Sequence, residues 1–179
     1  MIEESVNHVE EDFQIENVLL TDDRSELSLF TQEARNCAAL DTCCSSSVAG
    51  TEWLEMYLDA LGKDKLEEVR GPLASNRVFS FGNNGRLSSE GKYFIPANLA
   101  GNRVNIEMDV VKSDIPLLLS KKAMKKAGMK LDMKDDTVTV FGRKEKLVTT
   151  TNGHYCMPLL GDTENTVEVK VENALAVSL

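Results

Sequence analysis

Residues 38–45, with the sequence Ala-Ala-Leu-Asp-Thr-Cys-Cys-Ser, place a carboxylate at the point where a buried strand gives way to a tight turn. The small apolar residues before Asp41 are typical of a strand buried on both faces, and compact residues follow it. Moving a carboxylate out of water costs several kcal/mol unless hydrogen bonds or a charge partner compensate. Asp41 is therefore a candidate chemical site. The alternative is that Asp41 caps a turn, or caps the helix that begins near Gly50.

Length and composition describe a globular chain of one domain. The sequence has 179 residues, and the 42% that are hydrophobic are enough for a packed core. Its formal net charge of −9 argues against binding to nucleic acid, whose backbone is also negative. No apolar run approaches the roughly 20 residues of a membrane span, and no signal segment opens the chain. We therefore expect an intracellular, cytoplasmic protein that binds neither nucleic acid nor a membrane.

The four cysteines predict free thiols. They are Cys37, Cys43, Cys44 and Cys156, and no two of them have the C-x-x-C spacing of zinc and redox sites. His154 lies close to Cys156, but that spacing also fits no common zinc pattern. We expect no metal and no other cofactor, and thiols that are mostly buried as small apolar side chains.

Acidic residues concentrate near both ends of the chain and predict three regions. We expect a weakly ordered acidic leader over residues 1–26, a folded domain over residues 27–160 and an acidic tail over residues 161–179. Within the leader, residues 13–20 are a candidate strand.

Apolar runs and turn signals predict the local structure up to residue 69. Residues 28–31 are predicted to form a strand that pairs as a hairpin with a strand over 37–41. Residues 51–61 are the clearest helix, with a start signal at Gly50 and a stop at Gly62. A charged helical turn is predicted over residues 63–69. The apolar stripe of the 51–61 helix consists of Trp53, Leu54, Tyr57, Leu58 and Leu61.

An alternating pattern begins near residue 77 and predicts an antiparallel meander. Strands are expected over residues 77–81, 86–97 and 103–111, joined by polar turns. Residues 82–85, Gly-Asn-Asn-Gly, form a strong hairpin turn because Asn and Gly tolerate positive φ. This polar tip is either a mobile lid or an ordinary surface turn.

A second apolar run, residues 115–119, predicts another buried strand that leads directly into a helix. That short helix, residues 120–127, begins at Ser120 and ends before Gly128. Short strands are then expected over residues 129–133, 137–141, 146–150 and 154–159. The predicted fold is therefore mainly β.

Four stretches, taken in order, resemble the retropepsins, the aspartic proteases encoded by retroviruses and long-terminal-repeat retrotransposons. The likeness is in particular to the protease segment of retrotransposon polyproteins, and it covers roughly residues 27–160. The stretches are Ala-Leu-Asp-Thr-Cys-Cys-Ser (39–45), Phe-Ser-Phe-Gly-Asn-Asn-Gly (79–85), Asp-Ile-Pro-Leu-Leu-Leu-Ser (114–120) and Gly-His-Tyr-Cys (153–156).

The resemblance implies a closed antiparallel β-barrel, the acid protease fold, with one inserted helix and one short helix. It implies an aspartic endopeptidase in which Asp41 is catalytic, with Thr42 and Cys43 supporting the active-site loop. Because two carboxylates must share one water, it also implies a homodimer that binds an extended peptide or polyprotein. The implied substrate-binding flap consists of Phe81, Gly82, Asn83, Asn84 and Gly85.

Cys43 departs from the family pattern, in which Gly or Ala follows Asp-Thr. Glycine at that place allows close approach of the backbone, and a cysteine there puts the activity in doubt more than the fold. One alternative is therefore an inactive or weakly active retropepsin-like domain that dimerises or binds peptides. Another is a cysteine-dependent enzyme that uses Cys43 or Cys44 with His154 as the base.

Overall fold

The computed structural model describes residues 14–18, 24–82, 84–161 and 177–178, and among them strands outnumber helices. The helices are α1 (Arg24–Glu33), α2 (Thr51–Ala60), α3 (Lys63–Leu66) and α4 (Lys121–Lys126). The strands are β1 (Gln14–Val18), β2 (Cys37–Asp41), β3 (Val48–Gly50), β4 (Arg70–Leu73), β5 (Arg77–Phe81), β6 (Arg86–Leu99), β7 (Asn102–Val111), β8 (Leu117–Ser120), β9 (Lys130–Asp132), β10 (Thr137–Val140), β11 (Arg143–Lys146), β12 (Val148–Thr149), β13 (Tyr155–Pro158) and β14 (Val177–Ser178).

Most of the strands form one 11-stranded sheet in the order β1-β5-β6-β7-β3-β8-β2-β13-β12, with β4 on β6 and β14 on β7. The strands β9, β10 and β11 form a separate small sheet. Pairing is mixed, because β2 runs parallel to β8 and β3 runs parallel to β7. The antiparallel arrangement that the resemblance implied is therefore found for β5, β6 and β7 but not for the whole sheet. Among the described strands no pair joins β1 to β12, so closure into a barrel stays a prediction.

The predicted strand over residues 28–31, and its hairpin with 37–41, is wrong. These residues lie inside α1, and Phe30 is buried together with Ala34, the residue that follows the helix and whose N–H donates to the Phe30 carbonyl. An apolar run this short cannot show whether its residues repeat with the period of a strand or of a helix, which explains the error. The described chain therefore has four helices where the resemblance implied two.

The predicted meander and the second apolar strand are confirmed. The helices predicted over residues 51–61 and 120–127 are also confirmed, as α2 and α4. β6 pairs antiparallel with β5 on one side and with β7 on the other, and the alternating residues Val104, Ile106, Met108 and Val110 are all buried. β8 continues directly into α4, whose N-cap Ser120 accepts a hydrogen bond from the Ala123 N–H at 3.2 Å.

Helix α2 packs its predicted stripe into the larger core. Trp53 and Tyr57 are fully buried and stacked with ring centroids 4.9 Å apart. The indole of Trp53 donates to the Ala34 carbonyl at 3.0 Å, and the Tyr57 hydroxyl donates to the Pro96 carbonyl at 2.8 Å. Burial raises the pKa of the Tyr57 hydroxyl, which stays protonated in that bond. No described helix is both long enough and apolar enough to cross a membrane.

Candidate active site

Asp41 is the last residue of β2, a strand inside the large sheet between β8 and β13. In the parallel pair with β8, Asp41 lies opposite Ser120. Ala38 and Ala39 are buried, whereas Asp41 itself is half-buried. The carboxylate thus emerges from the end of a buried strand, as the residue pattern predicts. Its catalytic role stays a prediction.

The turn after Asp41 is built on the aspartate itself. Its Oδ1 accepts a hydrogen bond from the Cys43 N–H at 2.9 Å, and its carbonyl accepts one from the Cys44 N–H at 3.2 Å. This is the turn-capping role that the sequence offered as the alternative. Asp41 does not cap α2, because the N-cap residue there is Gly50. The bond to Oδ1 fixes the orientation of the carboxylate relative to the strand.

Cys43 occupies its position without the backbone conformation that favours glycine. The described non-glycine residues with positive φ are Asn36, Asn84, Ala100, Asp136 and Phe141, so Cys43 is not one of them. The side chains of Thr42 and Cys43 are both exposed, pointing away from the core. The cysteine therefore introduces no φ strain into this turn.

The far side of the turn is fastened to β8 and α4. The Ser47 hydroxyl accepts from the Ser120 N–H at 3.0 Å and lies 3.2 Å from the Ser120 hydroxyl, and both serines are buried. The Lys121 N–H donates to the Cys44 carbonyl at 3.0 Å, and the Cys44 thiol donates to the Ser46 carbonyl at 2.7 Å. Contacts between residues more than seventy positions apart therefore hold the turn rigid.

The predicted flap is the β5–β6 hairpin. The Phe81 N–H donates to the Gly85 carbonyl at 2.9 Å, and the Asn84 N–H donates to the Phe81 carbonyl at 3.0 Å. Asn84 has a φ of 62°, the left-handed conformation expected at such a tip. Gly82 and Asn84 are exposed, while Asn83 lies outside the described residues. The hairpin is confirmed, and its function as a lid stays a prediction.

One small hydrophobic cluster connects the base of the hairpin to the Asp41 turn. Phe79 of β5 is buried in the same cluster as Ala39 of β2 and Cys44 of the turn, and Phe81 and Leu87 pack against it. The fold thus brings the Asp41 turn and the base of the hairpin, distant in sequence, onto a common support.

A second buried carboxylate, Asp109 of β7, was not identified as a candidate from the sequence. Its side chain is fully buried and lies 2.7 Å from Nη1 of Arg77. It also accepts hydrogen bonds from the hydroxyls of Ser75 and of Ser89, the latter at 2.8 Å. The signal was available, because an aspartate inside an apolar alternating strand requires a partner. Nothing local indicated that the partners would come from β5, from the residues just before it and from β6.

The thiols divide into two groups. Cys44 and Cys156 are fully buried and Cys37 is half-buried, whereas Cys43 is exposed, and none of the four forms a disulfide. Burial, with smaller contributions from Cys37 and Glu33, raises the pKa of Cys156 to about 12, and burial also raises the pKa of Cys37. These two thiols stay protonated in the fold.

The proposed base of a cysteine enzyme, His154, is engaged elsewhere. Its ring stacks on Phe30 with centroids 4.4 Å apart, and its backbone N–H donates to the Thr150 hydroxyl at 3.0 Å. Among the described residues, no three His, Cys, Asp or Glu side chains are grouped closely enough to hold a metal ion.

Comparison with known proteins finds similarity of structure and none of sequence. Neither a protein-family model nor a curated protein sequence matches the chain. A solved structure, the retroviral protease-like domain of Ddi1 from Leishmania major, is similar with a TM-score of 0.41 and 17% sequence identity. The alignment covers 70% of this chain and 85% of that chain. That identity is too low to transfer a function from one chain to the other.

Proposed function

We propose that the chain is a retropepsin-like aspartic endopeptidase that works as a homodimer and closes its sheet into a barrel. The observation that carries the proposal is the Asp41 carboxylate, half-buried at the end of a central strand and oriented by the Cys43 N–H at 2.9 Å. Such a placement gives a carboxylate with a fixed direction and access to a substrate. A retrotransposon polyprotein, processed in the cytoplasm, is the substrate that the proposal assigns.

The chemistry requires two carboxylates around one water molecule. Two like charges at that separation cannot both be ionised, so one aspartate holds a proton and acts as the acid while the other acts as the base. The base takes a proton from the water as its oxygen attacks the peptide carbonyl carbon, and the acid donates its proton to the carbonyl oxygen. We assign one such aspartate to each chain, so a second Asp41 is supplied across the two-fold axis of the dimer.

The remaining predicted residues have supporting roles in this proposal. The exposed Thr42 side chain faces outward at the turn, where it would hydrogen-bond across the dimer axis. The β5–β6 hairpin would close over an extended peptide, exclude water and hydrogen-bond the peptide backbone through Gly82–Gly85.

The second candidate is a non-catalytic retropepsin-like domain that dimerises or binds peptides. Cys43 is the observation that favours it, because an exposed thiol next to the catalytic carboxylate can be oxidised. The absence of positive φ at Cys43 favours the active enzyme instead. Restoring glycine separates the two: Cys43→Gly should change the cleavage rate less than about twofold if the enzyme is active, and raise it strongly if it is not.

The test of the primary proposal is cleavage of a mixed peptide library at about pH 5, where a carboxylate pair holding one proton is most effective. We expect cleavage by the wild type that a transition-state-mimicking inhibitor of aspartic proteases blocks, and none by Asp41→Asn. Circular dichroism and sedimentation should show that the variant is folded and dimeric. Cleavage by Asp41→Asn at the wild-type rate would refute the assignment.

A further inference from the structure

A small pocket adjoins the Asp41 turn and is lined by basic and hydroxyl side chains. It lies where the residues after the turn meet the first flap strand and helix α4, and has a volume of about 40 Å³. A water-sized group needs roughly 10–15 Å³ of such a cavity, so the pocket holds about three such groups. That is room for a carboxylate and too little for an aromatic ring. The basic pocket includes Ser45, Ser47, Arg77, Ser120, Lys122 and Lys126.

Cations dominate the charge of the basic pocket. Arg77, Lys122 and Lys126 line it together with one carboxylate, Glu107. Glu107 is itself paired with the ammonium of Lys92 at 3.0 Å, outside the pocket lining. The basic pocket thus concentrates positive charge in a chain whose formal net charge is −9. A water-accessible pocket with an excess of positive charge attracts anionic groups.

Three polar side chains of the basic pocket, Arg77, Ser47 and Ser120, are held in place before any ligand arrives. Asp109 anchors Arg77 through Nη1 at 2.7 Å, and the Arg77 side chain keeps 22% of its surface exposed. A guanidinium has five N–H donors, so the anchored side chain has further donors to offer. The Ser47 and Ser120 hydroxyls are buried and 3.2 Å apart, which fixes their positions. Such preorganisation favours recognition of a planar carboxylate.

We propose that the basic pocket binds an acidic side chain, Asp or Glu, of the peptide substrate. This inference rests on the proposed protease function and names its substrate class. Arg77 belongs to the flap hairpin and Ser45 closely follows Asp41, so a peptide held between flap and turn passes the pocket. The four residues from Asp41 to Ser45 span at most about 14 Å, so the pocket lies within that distance of the catalytic carboxylate. An extended peptide covers the same distance in about four residues, so the acidic side chain lies within about four residues of the scissile bond.

The experiment measures binding and cleavage separately on the full chain. Two labelled peptide libraries are compared. Their members have Glu in one library and Gln in the other at the same fixed positions near the centre of the peptide, and are otherwise identical. Binding to the Asp41→Asn protein is measured by fluorescence anisotropy at about pH 7, where Glu is ionised, and cleavage by the wild type at about pH 5. The test variant is Lys122→Glu/Lys126→Glu. The control is Lys125→Glu, because Lys125 is exposed on the same helix but does not line the pocket.

We expect the Glu library to bind about tenfold more tightly than the Gln library, with a preference that weakens as salt is added. The double variant should lose or invert this preference, and Lys125→Glu should retain it. Equal binding of both libraries by a protein that cleaves peptides would overturn the basic-pocket proposal and leave the protease proposal standing. Glu-selective binding without any cleavage would overturn the protease proposal and leave the basic pocket as a site for acidic side chains of a bound peptide. Failure of both libraries to bind would overturn the basic-pocket proposal.

Discussion

The pair formed by Arg77 and Asp109 allows a sharp prediction about stability. Asp109 has no exposed surface and Arg77 has 22%, so the two partners are not equivalent. Replacing Arg77 by Met leaves a buried carboxylate with only the Ser75 and Ser89 hydroxyls to solvate it. Removing one partner of a buried ion pair typically costs about 3–5 kcal/mol. Because Arg77 reaches solvent, water can enter the space it leaves, and we expect about 3 kcal/mol.

Replacing the other partner, Asp109, should reduce the free energy of unfolding by less. Asp109→Asn keeps the shape of the side chain and removes the charge, while the Arg77 guanidinium can still reach water. The two hydrogen bonds from the serine hydroxyls become neutral, while the bond from the Arg77 guanidinium keeps only the charge of its donor, and we expect the change to cost about 2 kcal/mol. The double variant Arg77→Met/Asp109→Asn no longer contains a buried charge. It should therefore be about 1 kcal/mol more stable than Arg77→Met alone.

Urea unfolding followed by tryptophan fluorescence is the appropriate assay. Trp53 is the only tryptophan and is fully buried, so its emission reports the loss of the core. Lys92→Met is a matched control, because the Lys92–Glu107 pair joins the neighbouring strands but both side chains are partly exposed. That control should lose less than about 1 kcal/mol. A double variant whose loss equals the sum of the two single losses would refute the coupling argued here.

Three further predictions concern the core and the thiols. Gly50→Ala should destabilise by about 3 kcal/mol in urea unfolding, because a Cβ there would overlap the Ser113 carbonyl, whereas Gly62→Ala, with open space around it, should be nearly neutral. Since burial raises the pKa of Cys156 from 9.0 to about 12, the unfolded thiol ionises first, and its contribution to the free energy of unfolding should fall between those pH values by up to about 4 kcal/mol. Cys156→Ala should remove that part of the loss, while the part due to Cys37 and Tyr57, whose pKa values burial also raises, should remain. Ellman's reagent should modify the exposed Cys43 first, and equal labelling of buried Cys156 by peptide mapping would contradict the structure.

The sequence by itself determined the elements whose residues repeat with a clear period. The stripe from Trp53 to Tyr57, the alternation from Val104 to Val110 and the polar tip at Asn84 each indicated the structure found there. Asp41 was also placed correctly at the end of β2, because an abrupt change from apolar to compact residues marks the end of a buried strand. Residues 28–31 failed for the opposite reason: the run is too short to have a period.

Only the tertiary structure decided which elements meet. The parallel pairing of β2 with β8, the serine contact that fastens the Asp41 turn and the burial of Asp109 against Arg77 all join residues far apart in the chain. A local pattern records how deeply a residue is buried and on which face it lies. It does not record the partner, because pairing depends on how the whole chain packs. The basic pocket exists only through that packing, since its cations come from β5 and α4 and its serines mostly from the turn.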